Sequence, residues 1–459
     1  MASTARGLKK PVRKNKKMEQ EENTNKAPET EARNTSDDVS SSLDTKETEH
    51  ADSANEESEE LAEEESAEES AEEVAEEESA EEAAEEAAED AAEEVQQVSL
   101  EEYAELSAVQ NDFVDDDDFD FVDHYGDEKL SDESMLLPEN TAPSAIKCAF
   151  LGIGGGGGKM AKSFLDLGFS KTVLINTTHK DQPEDVPQEH FLLLDGSDGV
   201  GKDVDEGKRV LSENSTLVED ALRARLGSVD WLFVCASGGG GTGSASSVLH
   251  DACERYLSSV QGNGRVVYIV SSPTSQELLN PTIKSNAKML RDAVSGFPHI
   301  LVDNEKQLQL LRGKVGMLGM YPAANKVFAK MLSQVLKLAA ESSPVQTFDT
   351  KDLEKCLQED GRMFLGTCAI RDSKSRGLGL QIFKACAERS PCPAPTGKPQ
   401  TGVLLLVVNP EIAADPTASN QMESAISYVG GRSETLFSGV YVRNSIPGLI
   451  AIMALGGIK

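Results

Sequence analysis

The sequence predicts an α/β domain with a largely parallel sheet behind a long acidic extension, and three observations carry that prediction. From Ala145 onward, short apolar runs alternate with amphipathic stretches, the texture of strands separated by covering helices. Two of those runs pass directly into polyglycine loops that open helices, GIGGGGGKM at Gly152–Met160 and SGGGGTGSASS at Ser237–Ser247. Upstream, residues 1–144 carry about 48 of the 80 Asp and Glu but about 11 of the 44 Lys and Arg, so the net charge of −36 belongs almost wholly to that third of the 459 residues.

In chain order, IKCAFLGI reads as a buried first strand, KTVLIN as a second, HFLLLD as a third, DWLFVCAS as a fourth and RVVYIVSS as a fifth. The segment PAANKVFAKMLSQVLKLAAES has a proline near its start and Val327, Met331, Val335 and Leu338 at helical spacing, which predicts a long helix with those four residues in the core. A smaller α+β unit follows. Its helices are DLEKCLQED and SRGLGLQIFKACAERS, its strands TGVLLLVVN, ETLFSGVYVR and GLIAIMALGG, with one more helix near Ala418–Val429. The expected divisions are an unfolded extension at 1–144, a first domain at 145–320, a central helix at 321–345 and a second domain at 346–459.

Composition excludes several classes. The tract Glu56–Glu94 is almost entirely Ala, Glu and Ser with no apolar stripe, so a packed helix or coiled coil is not expected there. Seven cysteines, all after residue 144, form no CxxC pair and no cluster with histidine; reduced thiols and no side-chain metal site are expected. The basic run at Arg6–Lys17 leads into acids and not an apolar stretch, unlike a secretory signal. No segment approaches the roughly 20 apolar residues of a membrane span. A soluble cytoplasmic protein with no specific nucleic-acid partner is the expectation.

The glycine loops point to phosphate. Without Cβ atoms, backbone amides approach an anion closely, and the helix that follows adds its positive end. Gly152, Gly154 and Gly157 satisfy GxGxxG, a weak signal by itself. The second strand ends in Asn176 and Thr177, without the acid that a nicotinamide dinucleotide site wants. Lys159 has Ile153 six residues before it and Met160 after it, so the loop is not a Walker A motif. Tight strand-to-helix turns capped by Thr242 or Ser244 remain the alternative for either loop alone. Two such loops at strand ends argue for one polyphosphate gripped from two sides.

At this point the sequence resembles the FtsZ/tubulin superfamily, in its loops most of all the division GTPase FtsZ, over about residues 145–459. GGGTGS resembles the family signature, which implies that Gly239, Gly240, Gly241, Thr242 and Gly243 hold phosphate. The first loop is similar to GGGGGN and implies the same of Gly154, Gly155, Gly156, Gly157, Gly158 and Lys159. LINTT resembles the loop INTD, and GVGKDVDEGKR resembles the third phosphate loop, which adds Gly199, Val200 and Gly201. SSPTSQE places Glu277 as the ribose contact. VDNEKQL places Asn304 on guanine, and Tyr321 and Asn325 match the residues that stack on the base and bond to it. The fold implied is a Rossmann-like GTPase domain, a long central helix and a GTPase-activating α+β domain.

DTKDL, at Asp349–Leu353, reads on its own as the N-cap and third-position acid of the next helix. The resemblance gives Asp349 and Asp352 a catalytic role, completing the neighbouring subunit's site by orienting the attacking water. It therefore implies GTP/GDP with Mg2+ held mainly by phosphates, a head-to-tail homopolymer, and a place at the division site with a membrane tether or other division proteins. Four positions depart from the pattern: Lys159, Thr178, Pro281 and Thr347. They imply slow hydrolysis. The chain stops at GGIK without the family's C-terminal tail, and the extension is expected to oppose lateral bundling. Its candidate contacts are Arg6–Lys17 and NDFVDDDDFDFVDHY, Asn111–Tyr125.

Overall fold

The computed structural model describes residues 135–459, apart from Glu184 and Ser197. The acidic tract, the basic run and the Asn111–Tyr125 segment lie outside the described residues. Strand β1 (Cys148–Ile153) runs into helix α1 (Gly154–Leu165), followed by β2 (Thr172–Asn176) and a short β3 (Phe191–Leu193). Two helices, α2 (Val204–Glu213) and α3 (Ser215–Leu226), precede β4 (Trp231–Ser237), a single turn α4 (Gly241–Ser244) and α5 (His250–Ser259). Then come β5 (Val266–Ser272), α6 (Pro281–Val294), β6 (Pro298–Asp303), α7 (Asn304–Leu311) and the long α8 (Met320–Leu338). The remainder is α9 (Thr350–Gln358), β7 (Gly361–Ile370), α10 (Leu378–Arg389), β8 (Thr401–Val408), α11 (Pro410–Ala414), α12 (Pro416–Gly430), β9 (Thr435–Val442) and β10 (Leu449–Ile458).

The strands form one ten-stranded sheet in the order β3-β2-β1-β4-β5-β6-β7-β10-β8-β9. Strands β1 to β7 are parallel, β10 is antiparallel to both neighbours, and β8 and β9 are parallel. The expected α/β class with a mostly parallel sheet is what the chain adopts. Strands β6 and β7, absent from the sequence reading, are the two that join the halves, through a short parallel register of Pro298, His299 and Ile300 against Gly361, Arg362 and Met363. The C-terminal strands therefore extend the first sheet instead of forming a separate one.

Alternation along the central strands explains their apolar runs. Cys148 and Phe150 of β1 and Trp231, Phe233 and Cys235 of β4 enter one core; Ala149, Leu151, Leu232 and Val234 enter the other. A strand covered on both faces needs apolar side chains at every position. Helix α8 packs on the first face through Phe328, Leu332, Val335 and Leu336; α2, α3, α5 and α6 cover the second. Phe150 stacks on Phe164 of α1 with ring centroids 4.0 Å apart, fixing that helix to β1. Of the four residues expected in the α8 core, Met331, Val335 and Leu338 are buried, but Val327 is 41% exposed. The buried stripe instead passes through Ala324 and Phe328.

Ordered packing starts before Ala145. Leu137 is buried, its amide donates to the Arg225 carbonyl at 2.8 Å, and the buried Lys171 ammonium donates to the Leu137 carbonyl at 2.7 Å. The amides of Thr141 and Ala142 both donate to the Gly168 carbonyl. All seven cysteines are free and buried. No helix among the described residues is long and apolar enough to cross a membrane.

Candidate functional site

The polyglycine loops leave the carboxyl ends of β1 and β4 and meet. Gly154 has φ +71, and a Cβ there would sit 2.9 Å from the Gly243 amide nitrogen. Only glycine satisfies both that backbone and that contact. Thr177, at the end of β2, shares a hydrogen bond with Thr242, Oγ1 to Oγ1 3.1 Å. The Gly241 amide donates to the Gly201 carbonyl at 2.8 Å, and a Cβ on Gly241 would stand 2.4 Å from the Asp203 carbonyl oxygen. The signature loop is thus the hub on which the first, second and third loops converge. Asn286 of α6 steadies the third loop by donating to the Lys202 carbonyl at 2.8 Å.

The five glycines of the first loop divide by task. They are not a free loop but the first turns of α1. Gly157 and Gly158 are buried, and a Cβ on Gly157 would lie 2.2 Å from the Cys235 carbonyl oxygen. Those two let the helix lie against β4 and β2, which leaves Gly154–Gly156 as the open end of the turn. Helical side chains lean toward the N-terminus, so exposed Lys159 covers the turn that holds Gly156. Gly199 and Gly201 both adopt positive φ, with Val200 buried between them. Gly239 and Gly240 are partly exposed, while Gly241, Thr242 and Gly243 are buried.

At the other side of the cluster, Glu277 and Glu305 lie close enough to Tyr321 to help raise its pKa, after burial as the main cause. Glu277 is exposed, and one carboxylate oxygen accepts from the Thr274 amide at 2.7 Å and hydroxyl at 3.0 Å. Asn304 opens α7. One turn on, Gln307 donates to the Ala324 carbonyl at 2.9 Å, which ties α7 to the start of α8 beside buried Asn325. Glu277, Asn304, Tyr321 and Asn325 are thereby brought to one neighbourhood.

Asp181 is a candidate that sequence reasoning missed. A Cβ on Gly155 would fall 3.0 Å from the Asp181 Cβ and 3.1 Å from its Oδ2, so this carboxylate stands against the open turn of the first loop. The signal was available: Asp181 is the first acid after LINTT, three residues beyond Thr178. The departures serve local structure. Thr178 accepts from the Lys180 amide, Thr347 accepts from the Ser343 amide at 3.0 Å, and Pro281 occupies the first turn of α6 behind the Asn280 cap.

Asp349 and Asp352 stand toward the opposite ends of the strands. Asp349 is the N-cap of α9, accepting from the amides of Lys351 at 2.8 Å and Asp352 at 3.1 Å. Arg265, just before β5, donates to the Gln358 carbonyl at 2.7 Å and pairs with Asp360 at 2.9 Å. Lys351 has its pKa raised mainly by Glu354, with smaller contributions from Asp230, just before β4, and Asp349. Helix α9 therefore borders the amino ends of β4 and β5, whereas the glycine loops border their carboxyl ends. A seven-residue strand such as β4 separates the two by about 20 Å. The acids of one chain do not reach that chain's own glycine loops. Among the described residues, no group of three or more His, Cys, Asp or Glu could hold a metal ion.

The glycine cradle, closed to any Cβ at Gly154, Gly156 and Gly241, fits a polyphosphate, and the buried Ser244 hydroxyl has no partner among the described residues. No family model matches the sequence. The tubulin-like protein CetZ of Methanothrix thermoacetophila is 24% identical over 315 residues, 65% of this chain and 81% of that protein. The cell division protein FtsZ of Coxiella burnetii is 23% identical over 234 residues, 50% of this chain and 58% of that one. Among solved structures, CetZ2 of Haloferax volcanii, a GTPγS-bound protofilament, superposes with a TM-score of 0.56 at 22% identity, covering 68% of this chain and 94% of its own. TubZ of Bacillus thuringiensis, also a GTPγS-form protofilament, gives 0.57 at 16% identity, covering 69% and 89%. The likeness is thus shared between CetZ-type and FtsZ-type proteins and is not particular to FtsZ. With both kinds of relative and the converging loops in agreement, the chain belongs to the FtsZ/tubulin superfamily.

Proposed function

We propose that this protein binds GTP in the glycine cradle, polymerises head to tail, and hydrolyses GTP where Asp349 and Asp352 of one copy meet the phosphate loops of the next. The observation that supports this reading is that Asp349 and Asp352 lie toward the amino ends of the central strands and the glycine loops at their carboxyl ends. That separation suits a polar filament in which every contact completes one site. The amides of Gly154–Gly156 and Gly239–Gly243, with Lys159, would bind the phosphates and stabilise charge on the β-phosphate as it leaves. Glu277 would take the ribose, Tyr321 would stack on guanine, and Asn304 and Asn325 would read it. Asp352, with Asp349, would orient water on the γ-phosphorus. Mg2+ would be held by the phosphates themselves, with the Asp181 carboxylate standing beside Gly155.

Pelleting and phosphate release with GTP, with GDP and in Asp352→Ala test the proposal. Assembly is expected with GTP alone, and the variant is expected to assemble but turn over little. Assembly that ignores the nucleotide overturns it. The FtsZ-type likeness favours a ring at the division site; the CetZ-type likeness favours a second reading, a filament with weak hydrolysis and no direct role in division. A tagged chain imaged in cells separates them, the first predicting a mid-cell band and the second none.

A further inference from the structure

Helices α6 and α8 bury apolar side chains along one face, but α7 does not: its one buried residue is the polar Gln307. Apolar burial therefore does little to orient α7, and hydrogen bonds must do the rest. They radiate from its first turn. Asp303 caps the helix by accepting from the Lys306 amide at 3.3 Å, and its own amide donates to the Pro391 carbonyl at 2.8 Å. Glu305 accepts from the Ser275 amide at 3.0 Å, two residues before Glu277. Gln307 donates to the Ala324 carbonyl of α8. The half-buried Lys306 ammonium donates to the carbonyls of Ala387 at 2.7 Å and Cys392 at 3.1 Å. Within this turn, Asn304 is the side chain with no hydrogen bond among the described residues.

Lys306 ties this turn to the second half of the chain. Ala387 lies in the last turn of α10, where carbonyls lack helical partners and a cation is favoured. Ser390, between the two carbonyls that Lys306 holds, is buried; its hydroxyl donates to the Leu365 carbonyl of β7 and accepts from the Cys392 amide at 2.8 Å. The bonds from Asp303 and Lys306 thus converge on residues 387–392, which are themselves pinned to β7. Burial lowers the Lys306 pKa, so the ammonium is held there against a desolvation cost that the two carbonyls offset. A methionine in its place would leave the Asp303 amide as the link between the start of α7 and that turn. We propose that Lys306 is a positioning residue for base recognition. It acts through Asn304, holding the first turn of α7 so that the unspent amide meets guanine, and it makes residues 387–392 respond to an occupied base site. This inference rests on the nucleotide reading above.

Equilibrium binding of GDP and ADP to the full-length protein tests this, because neither diphosphate is expected to drive assembly. Lys306→Met should weaken GDP about tenfold and leave ADP nearly unchanged, since the phosphate loops are untouched. Lys306→Arg, which keeps a cationic donor for the two carbonyls, should restore most of the preference. In Asn304→Ala, where the positioned amide is gone, adding Lys306→Met should weaken GDP by no more than about twofold further. Equal losses of GDP and ADP, or full additivity with Asn304→Ala, would overturn the proposal, because a residue that merely holds the fold together acts in that way. Hydrogen exchange of the wild-type protein gives a readout that needs no variant. GDP should slow exchange in peptides covering residues 387–392, and exchange there that ignores the nucleotide overturns the proposal even if Lys306→Met does not fold. A wild type with no preference for GDP over ADP would defeat the nucleotide reading and this inference together; a preference that survives Lys306→Met defeats this inference alone.

Discussion

In the proposed reaction, Asp352 would combine two physical roles that pull in different directions. Burial, and then the neighbouring Asp349 carboxylate, raise its pKa above the ordinary 3.8. The folded state therefore binds this proton more tightly than the unfolded chain. Any stability from the group is present below the unfolded pKa and fades as pH rises through the folded value, whereas its ability to orient water grows over the same window. Asp349→Asn keeps the helix cap but removes the like charge, so the acid limb of GTP turnover should move to lower pH; a pH profile of phosphate release checks this. Asp352→Ala should lower turnover about 100-fold while leaving GTP-dependent pelleting in place. Asp181 sits against Gly155 where the second loop carries Thr178. Asp181→Asn should therefore reduce turnover about tenfold with nucleotide affinity little changed, measured by phosphate release beside equilibrium binding.

At the scale of elements, glycines with the same appearance in the sequence do different work. Gly157 lies 2.2 Å, at a built Cβ, from the Cys235 carbonyl oxygen, but Gly240 has nothing nearer than 3.7 Å and a φ of −107. Gly157→Ala should cost about 1 to 3 kcal/mol in a denaturant titration by forcing α1 away from β4. Gly240→Ala should leave that titration nearly unmoved and weaken GTP binding instead. The strands β6 and β7 were hidden from sequence reading for local reasons. PHILVD is short, opens on proline and leads straight into a helix, while MFLGTCAI is interrupted by Gly366 between two stronger helical signals. Val327 illustrates the reverse error. It has the right spacing for the core but lies just outside the buried stripe, because helix rotation is set by what the sheet offers.

For the whole molecule, the charge asymmetry predicts how the proposed filaments would meet. Removing residues 1–130 takes away most of the acidic excess, so filaments should bundle at low salt and separate as salt screens the remaining attraction. Light scattering with electron microscopy checks it, and single filaments at low salt would refute the idea. The sequence by itself determined the α/β class, the apolar strands that lead into the glycine loops, and the loops themselves, because glycine runs and two-sided strands leave local signatures. Tertiary structure decided the rest. It set which glycines pack and which stay open, placed Asp181 against Gly155, and joined the two halves through β6 and β7. It also put Asp349 and Asp352 at the amino ends of the strands, away from the glycine loops at their carboxyl ends. Those outcomes depend on contacts between residues distant in sequence, which no local pattern records.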